Sequence, residues 1–404
     1  MKLRIALLCL LIAATACSAG GATTPATEPP IPTSAPPDTA VPTTEPPSAT
    51  DTPTPSAVLP APLLFLSNRS GSDQIWRLDV DGVTLTQLTN EAAPVTDFDA
   101  APVGGRLAYV SDNDLIVANA DGSGRALLVD GPPQPAVDAP DRINTEMKQL
   151  RWSSDGARIA YGLNGVNLID ASGGEPVVLQ QSDPVPLPPD YQSDGPVKFY
   201  WPNVWSPDGS RLLIDVAYFP EGGFLSVVDA AGGDLVDIIS PEGIVCCNPS
   251  WSIDGTTVYY ANRAPGQIAP GLWRADAATG ESATLIQGIV GEVFNMPGWA
   301  QQASDGRLYY FFVSMSGFPE TYARQSMYRA DADGVTGQTQ LRDDAHILGE
   351  ALWASDGSGA VIVDAEESAQ ANVFPLTGPL LFLKSDGGPE LTLAGNGHML
   401  RWGK

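Results

Sequence analysis

The chain has 404 residues and carries 47 Asp and Glu against 21 Lys and Arg, a formal charge of −26. That balance argues against nucleic acid as a partner, because phosphate binding needs clustered cations, and it reads instead as a means of staying soluble and unassociated. Only two histidines occur, which limits general-base and metal chemistry, whereas Gly (41) and Pro (37) are frequent.

Residues 1–17 open with Lys2 and Arg4 and continue into the apolar run LLCLLIAATAC. The run is too short for a comfortable membrane span and has the form of a secretion signal. Ala14-Thr15-Ala16-Cys17 resembles the bacterial lipobox, which implies cleavage before Cys17 and its lipidation; ordinary signal cleavage with Cys17 incidental is the alternative. Residues 18–60 are dominated by Thr, Pro, Ala and Ser. Such a segment cannot bury enough apolar surface to offset its ordering entropy, so a disordered, semi-stiff tether is expected there.

A folded domain is expected over 61–404. It begins in mid-repeat: PLLFLSN, QIWRLDVDG and TLTQLTN supply three strands without the one that should precede them. The repeat is clearest at Trp205-Ser206-Pro207-Asp208-Gly209. Ser, Pro and Gly at its second, third and fifth positions suit a type I turn, and the apolar run RLLIDVAY that follows suits a buried strand. The signature recurs at Trp152, Trp251 and Trp353. Looser copies anchor on Phe98 and Trp299, and the chain ends on Trp402 without a turn. The anchors from 98 to 402 are spaced by about 51 residues, a propeller-blade period.

Each unit divides into an anchor strand, a second apolar strand, a third ending in an Asp/Gly turn such as Asp79-Val80-Asp81-Gly82, and a rim strand such as TLTQL. Pairing Gly397–Trp402 with the first three strands closes a ring and removes its exposed edges. The expected fold is therefore all-β, a seven-bladed β-propeller of four-stranded blades. Six or eight blades would leave an anchor unused or invented.

The W-S-P-D-G and D-x-D-G pair, with the phrase NRSGSDQIWRLDVDG followed by QLT, resembles the repeats of the TolB family and related WD-like propellers over residues 63–402. The resemblance implies the propeller fold and, for bacterial envelope members, action through protein contacts. The separate small N-terminal domain of TolB itself is missing here, which counts against its role.

In such a ring the short W-S-x-D-G and D-x-D-G turns share one face. The long connections, 130–146, 180–200, 217–223, 262–271, 313–325 and 364–378, share the other. That second face is the expected binding surface, since long surface loops commonly carry function. Aromatic and Arg side chains are frequent contact hot spots, and Tyr191, Tyr200, Trp201, Phe219, Arg263, Phe318, Tyr322 and Arg324, together with His346 and His398, are the candidates there. The bland alternative is that they pack the loops onto the ring. His346 and His398 each precede an anchor strand of neighbouring blades, without a convincing third metal ligand. No metal site is expected.

Cys246 and Cys247 are adjacent and could close a vicinal disulfide in an exported protein. A similar pair lies against the cofactor in some quinone-dependent alcohol dehydrogenase propellers, but the rest of that repeat is missing and no cofactor is expected. The D-x-D-G turns do not read as calcium loops: after Asp79-Val80-Asp81, position six is Thr84 and position twelve is Asn90. No G-x-S-x-G elbow, H-E-x-x-H helix or phosphate-cradling Gly loop occurs, and no catalytic residues are assigned.

The sequence thus reads as an exported, lipid-anchored propeller facing the periplasm or the cell surface and expected to be a monomer. Its expected partner is an envelope protein or small ligand, bound through the long-loop face. The alternative is a propeller enzyme of lyase or quinone-dependent dehydrogenase type, or a carbohydrate-binding protein, with its site at the central channel mouth. Titratable groups with shifted pKa values at that mouth would favour the alternative.

Overall fold

A computed structural model describes residues 57–186, 196–219, 222–238, 248–262, 269–317, 323–365 and 378–404. The expected signal segment, Cys17 and nearly all of the tether fall outside them. Thr54–Lys404 form one compact unit.

The chain is all-β. Seven antiparallel sheets form the blades of a β-propeller, and the one helix among the described residues is the single turn Arg142–Thr145. Six sheets have four strands; the remaining one gains the two-residue strand Ile289–Val290 ahead of its innermost strand Val293–Gln302. The last blade is closed by the chain ends, with Leu63↔Trp402 and Leu64↔Arg401 in register across Leu63–Ser67 and His398–Trp402. Packing starts at the first described residues: Val58 and Leu59 both donate their amide N–H to the Val80 carbonyl, and Leu59 is buried.

Blade faces pack on neighbours at both sides, so the strands read as continuous apolar runs. Leu63–Ser67 is buried at every position. Its odd residues, Leu63 and Phe65, meet Val361, Val363 and Phe382 of the preceding blade. Its even residues, Leu64 and Leu66, meet Phe98, Leu107 and Tyr109 of the next. The period of two survives, but both faces are core.

The turn signature has a physical cause. In the third blade the Ser206 hydroxyl accepts from Arg211 N–H (3.0 Å) and donates to Asp208 Oδ1 (2.6 Å), which also accepts from Ser210 N–H (3.1 Å). Gly209 sits at φ +69°, where a side chain would be strained. The same bonds recur around Ser153 with Asp155 and around Ser252 with Asp254. The tryptophans link the blades: Nε1–H of Trp205, Trp251 and Trp402 donates to the carbonyls of Arg151, Val204 and Trp353 (3.0, 3.1 and 2.7 Å). Arg158 and Arg211 lie 5.4 and 5.3 Å over the rings of Trp205 and Trp251 in the following blade.

Two sequence anchors shift. Trp152, Trp205, Trp251 and Trp353 pair with Ile159, Leu212, Val258 and Ala360, and the residues in the same place in the degenerate copies are Ala100, paired with Leu107, and Gln302, paired with Leu308. Phe98 instead fills the core between the last and first blades. Trp299 lies three residues before its blade's anchor position.

Candidate functional site

The innermost strands of the seven blades, Val95–Ala100, Lys148–Trp152, Val197–Trp205, Ser250–Trp251, Val293–Gln302, Leu348–Trp353 and His398–Trp402, form the wall of the central channel. None of them but the shortest runs straight. In the other six blades the register with the second strand slips just ahead of the anchor position. Three residues before that position, Gln149, Asn248, Trp299 and Met399 all take positive φ, at 56°, 48°, 56° and 53°. Non-glycine residues there cost of order 1 kcal/mol each and gather at functional sites. A bulge re-aims the side chain it carries. Asp97 and Glu350, paired with Val110 and Val363 just after their slips, occupy the equivalent place in the first and sixth blades, so one layer of Asp97, Gln149, Asn248, Trp299, Glu350 and Met399 lines a cavity of about 520 Å³.

Two residues further along, Arg151 and Arg401 reach the same cavity from LRW sequences on either side of the first blade. Asp99 lies between them. It accepts from Arg401 Nε–H (3.1 Å) and from Trp152 N–H (2.8 Å). Arg151 donates Nε–H to the Asn203 carbonyl and Nη1–H to its neighbour Leu150 (2.6 Å), as Arg401 does to Leu400 (2.8 Å). Neither second terminal nitrogen makes a hydrogen bond among the described residues.

The carboxylates also latch the inner strands. Asp97 Oδ2 accepts from Gln149 N–H (2.5 Å), Glu350 Oε1 from Leu400 N–H (2.8 Å). Asp215, on a second strand, accepts from Gln149 Nε2 (3.0 Å) and Asn203 Nδ2 (2.9 Å). Shielding from bulk water dominates the electrostatics. Desolvation raises the pKa of Asp97, with Arg151 and Arg401 opposing, and does the same for Asp215 and Glu350. It lowers that of Arg151, helped by the like charge of Arg401. For Arg401 desolvation pulls down, but Asp99, Glu350 and Asp97 outweigh it and the net shift is upward. Two acceptors remain unmet: Asp97 Oδ1 and Gln149 Oε1 are buried without a hydrogen-bond partner. Buried acceptors normally find donors, and the two side chains that carry these line the cavity.

A second cavity of about 420 Å³ shares Asp97, Gln149 and Met399 and continues past Glu146, Met147, Lys148 and Trp201. Glu146, Met147 and Lys148 stand at or just before the start of their inner strand, the long-loop end of the ring, and Trp201 lies midway along Val197–Trp205 in the next blade. Lys148 lies 4.8 Å over the Trp201 ring, and burial lowers its pKa, with Glu146 opposing.

Of the residues singled out from sequence, Trp201 lines this entrance, while its neighbour Tyr200 is buried between blades beside Trp205 and Leu212. Arg324 donates to the Ala345 carbonyl (3.4 Å). The two histidines do not share a cluster: His398 Nε2 is 3.5 Å from Asp73, and His346 is surrounded by Asp344, Asp364 and Glu390. Phe219 closes the strand Arg211–Phe219, its backbone paired with Val197. Tyr191, Cys246, Cys247, Arg263, Phe318 and Tyr322 lie outside the described residues. The channel residues Asp97, Gln149, Arg151, Asp215, Glu350 and Arg401 were not foreseen. The signal available was the twice-written Leu-Arg-Trp, at 150–152 and 400–402, which places a charge on an inner strand.

Comparison with known proteins agrees with the fold. A sequence profile of the dipeptidyl peptidase IV (DPP IV) N-terminal region matches residues 64–164. Oligogalacturonate lyase from Vibrio parahaemolyticus is 14% identical and superposes with a TM-score of 0.54, over 83% of this chain and 86% of that one. A puromycin hydrolase is 15% identical with a TM-score of 0.52, over 85% of this chain and 55% of its own. TolB from Acinetobacter baumannii is 14% identical with a TM-score of 0.40, over 68% and 62%. No curated protein sequence matches the chain.

Proposed function

We propose that this protein is an exported, lipid-anchored propeller that binds a small polyhydroxylated ligand, of the saccharide class, in its central channel, entered from the long-loop face. The observation that carries the reading is one cavity lined both by Asp97 and Gln149, each with a buried, unpartnered acceptor oxygen, and by Arg151 and Arg401, with donors to spare. Hydroxyl groups would satisfy the acceptors, and ring, carbonyl or carboxylate oxygens would satisfy Arg151 and Arg401. Trp299 in the cavity wall and Trp201 at the entrance supply the flat apolar surfaces that a sugar ring packs on. A concave site with a few convergent polar groups and perturbed titratable residues is the ordinary form of a ligand site.

Export and anchoring rest on residues 1–17 and the Thr/Pro-rich stretch that follows. Cys17→Ala should move the protein from the membrane fraction to the soluble one; retention at the membrane would contradict the anchor.

The binding claim is tested by thermal unfolding of the full chain against a panel of neutral galactose oligomers and galacturonate oligomers. The galacturonates are included because a solved propeller of this fold is an oligogalacturonate lyase. At least one panel member should raise the melting temperature of the wild-type chain, and Trp201→Ala should lose most of that shift. A panel without effect, or an undiminished shift in the variant, would overturn the reading.

A further inference from the structure

Away from the channel, the crossover from the fifth to the sixth blade places His346 among carboxylates. Its backbone is fixed by reciprocal bonds with Gln325, N–H to O at 2.9 and 3.0 Å. The imidazole side chain is only 8% exposed. Nδ1 lies 3.2 Å from Asp364 Oδ1, at the end of a second strand, an approach that is not aligned as a hydrogen bond and leaves Oδ1 without a partner. Nε2 is buried without a hydrogen-bond partner and faces Asp344 Oδ2 at 3.8 Å and Glu390 Oε2 at 3.9 Å. One atom each from Asp344, His346 and Glu390 all fall within 4.8 Å of one another.

The charges around this imidazole do not balance. Arg342 is committed elsewhere in part, giving Nη1–H to the carbonyls of Lys384 (3.1 Å) and Gly388 (2.6 Å). Its other face holds Asp344 through Nε–H (2.8 and 3.1 Å) and Nη2–H (2.5 Å). It therefore neutralises one carboxylate and fixes where it points. Asp364 and Glu390 remain. If Nδ1 carries the proton toward Asp364, the Nε2 lone pair faces two more anions, an arrangement that calls for a cation between them.

We propose that Asp344, His346 and Glu390 form a site for a first-row divalent metal ion, with Asp364 orienting the histidine from behind. One imidazole nitrogen and two carboxylate oxygens are a donor set for Mn²⁺ or Zn²⁺. A carboxylate on the far nitrogen is the usual way a ligating histidine is held in the correct tautomer. Ligand atoms around a bound ion at about 2.0–2.2 Å sit closer together than these do. The part-exposed Asp344 and Glu390 must move inward by roughly an ångström, while His346 stays on its pinned backbone. The site is independent of the saccharide reading.

The test uses the full chain, stripped with chelator and titrated with Mn²⁺ in excess Mg²⁺, so that ordinary acidic surface is saturated and thiols do not compete. Electron paramagnetic resonance of the free ion counts what is bound. The expected result is one tight Mn²⁺ per chain, showing imidazole nitrogen modulation in its spin echo. Glu390→Gln, a substitution at a part-exposed carboxylate, and His346→Ala should each weaken binding tenfold or more, Asp364→Asn by a smaller factor, and His398→Ala not at all. Absence of stoichiometric binding, or wild-type affinity in Glu390→Gln and His346→Ala, would overturn the proposal.

Discussion

The ring carries two populations of carboxylates, and their environments drive them in opposite directions. On the short-turn rim, Asp208 takes hydrogen bonds from the Ser206 hydroxyl, the Ser210 amide and the Ser210 hydroxyl, and its pKa falls to about 2. Asp155 and Asp254 are lowered in the same way, led by the hydroxyls of Ser153 and Ser252. In the channel, Asp97, Asp215 and Glu350 are raised, because loss of water outweighs the arginines and amides that face them. One chemistry thus does two jobs. Rim aspartates close turns in contact with water; the channel carboxylates lose their hydration, and of the three only Asp97 keeps an acceptor oxygen without a partner.

The largest effect is expected where that hydration is lost. Arg401→Leu removes the cation beside Asp99, Asp97 and Glu350 and should cost about 3 kcal/mol, the range for stripping one partner from a buried charge group. Urea unfolding measures it, and a loss below about 1 kcal/mol, typical of exposed pairs, would erase the distinction between channel and rim. On the rim, Ser206→Ala removes a buried hydroxyl that both donates and accepts, and about 1–2 kcal/mol is expected from the same measurement.

The two populations should also part in their pH dependence. Raised folded-state values mean that the channel groups bind protons more tightly folded than unfolded, so stability rises as pH falls through those values, levelling off below the unfolded pKa of about 4. The rim aspartates work the other way. Their contribution is complete above about pH 4 and is lost as pH falls through their lowered values. Asp97→Asn should therefore flatten the upper limb of a stability-against-pH curve and leave the acid limb in place. A change confined to the acid limb would reverse the assignment. The smallest stability effect is expected at the entrance, where Trp201→Ala forfeits a partly exposed cation–π contact with Lys148, about 0.5–1 kcal/mol.

The same contrast explains what was legible in the sequence. The rim is local: Trp205 to Gly209 fixes its own turn within five residues, so blade number, strand order and closure by Trp402 follow from repetition. Degenerate copies misled for the same reason. Phe98 and Trp299 are aromatic near the correct spacing, but their backbones sit two and three residues short of the anchor register. The channel is assembled from distant positions that need not resemble each other. Asp97, Gln149, Trp299, Glu350 and Met399 share only a place in or beside a bulge, and no side-chain pattern encodes positive φ at glutamine, tryptophan and methionine. Trp201 was legible as a candidate because it is an aromatic beside a long crossover; Tyr200, one residue away, points to the opposite face and is core.

The most direct test of the channel as a binding site is a crystal structure of the chain with the panel saccharide that raises its melting temperature most. The account predicts the sugar between Trp299 and the guanidinium groups of Arg151 and Arg401, with hydroxyl groups on Asp97 Oδ1 and Gln149 Oε1. A sugar seated on the outer blades or on the short-turn rim, with the channel holding solvent alone, would contradict it.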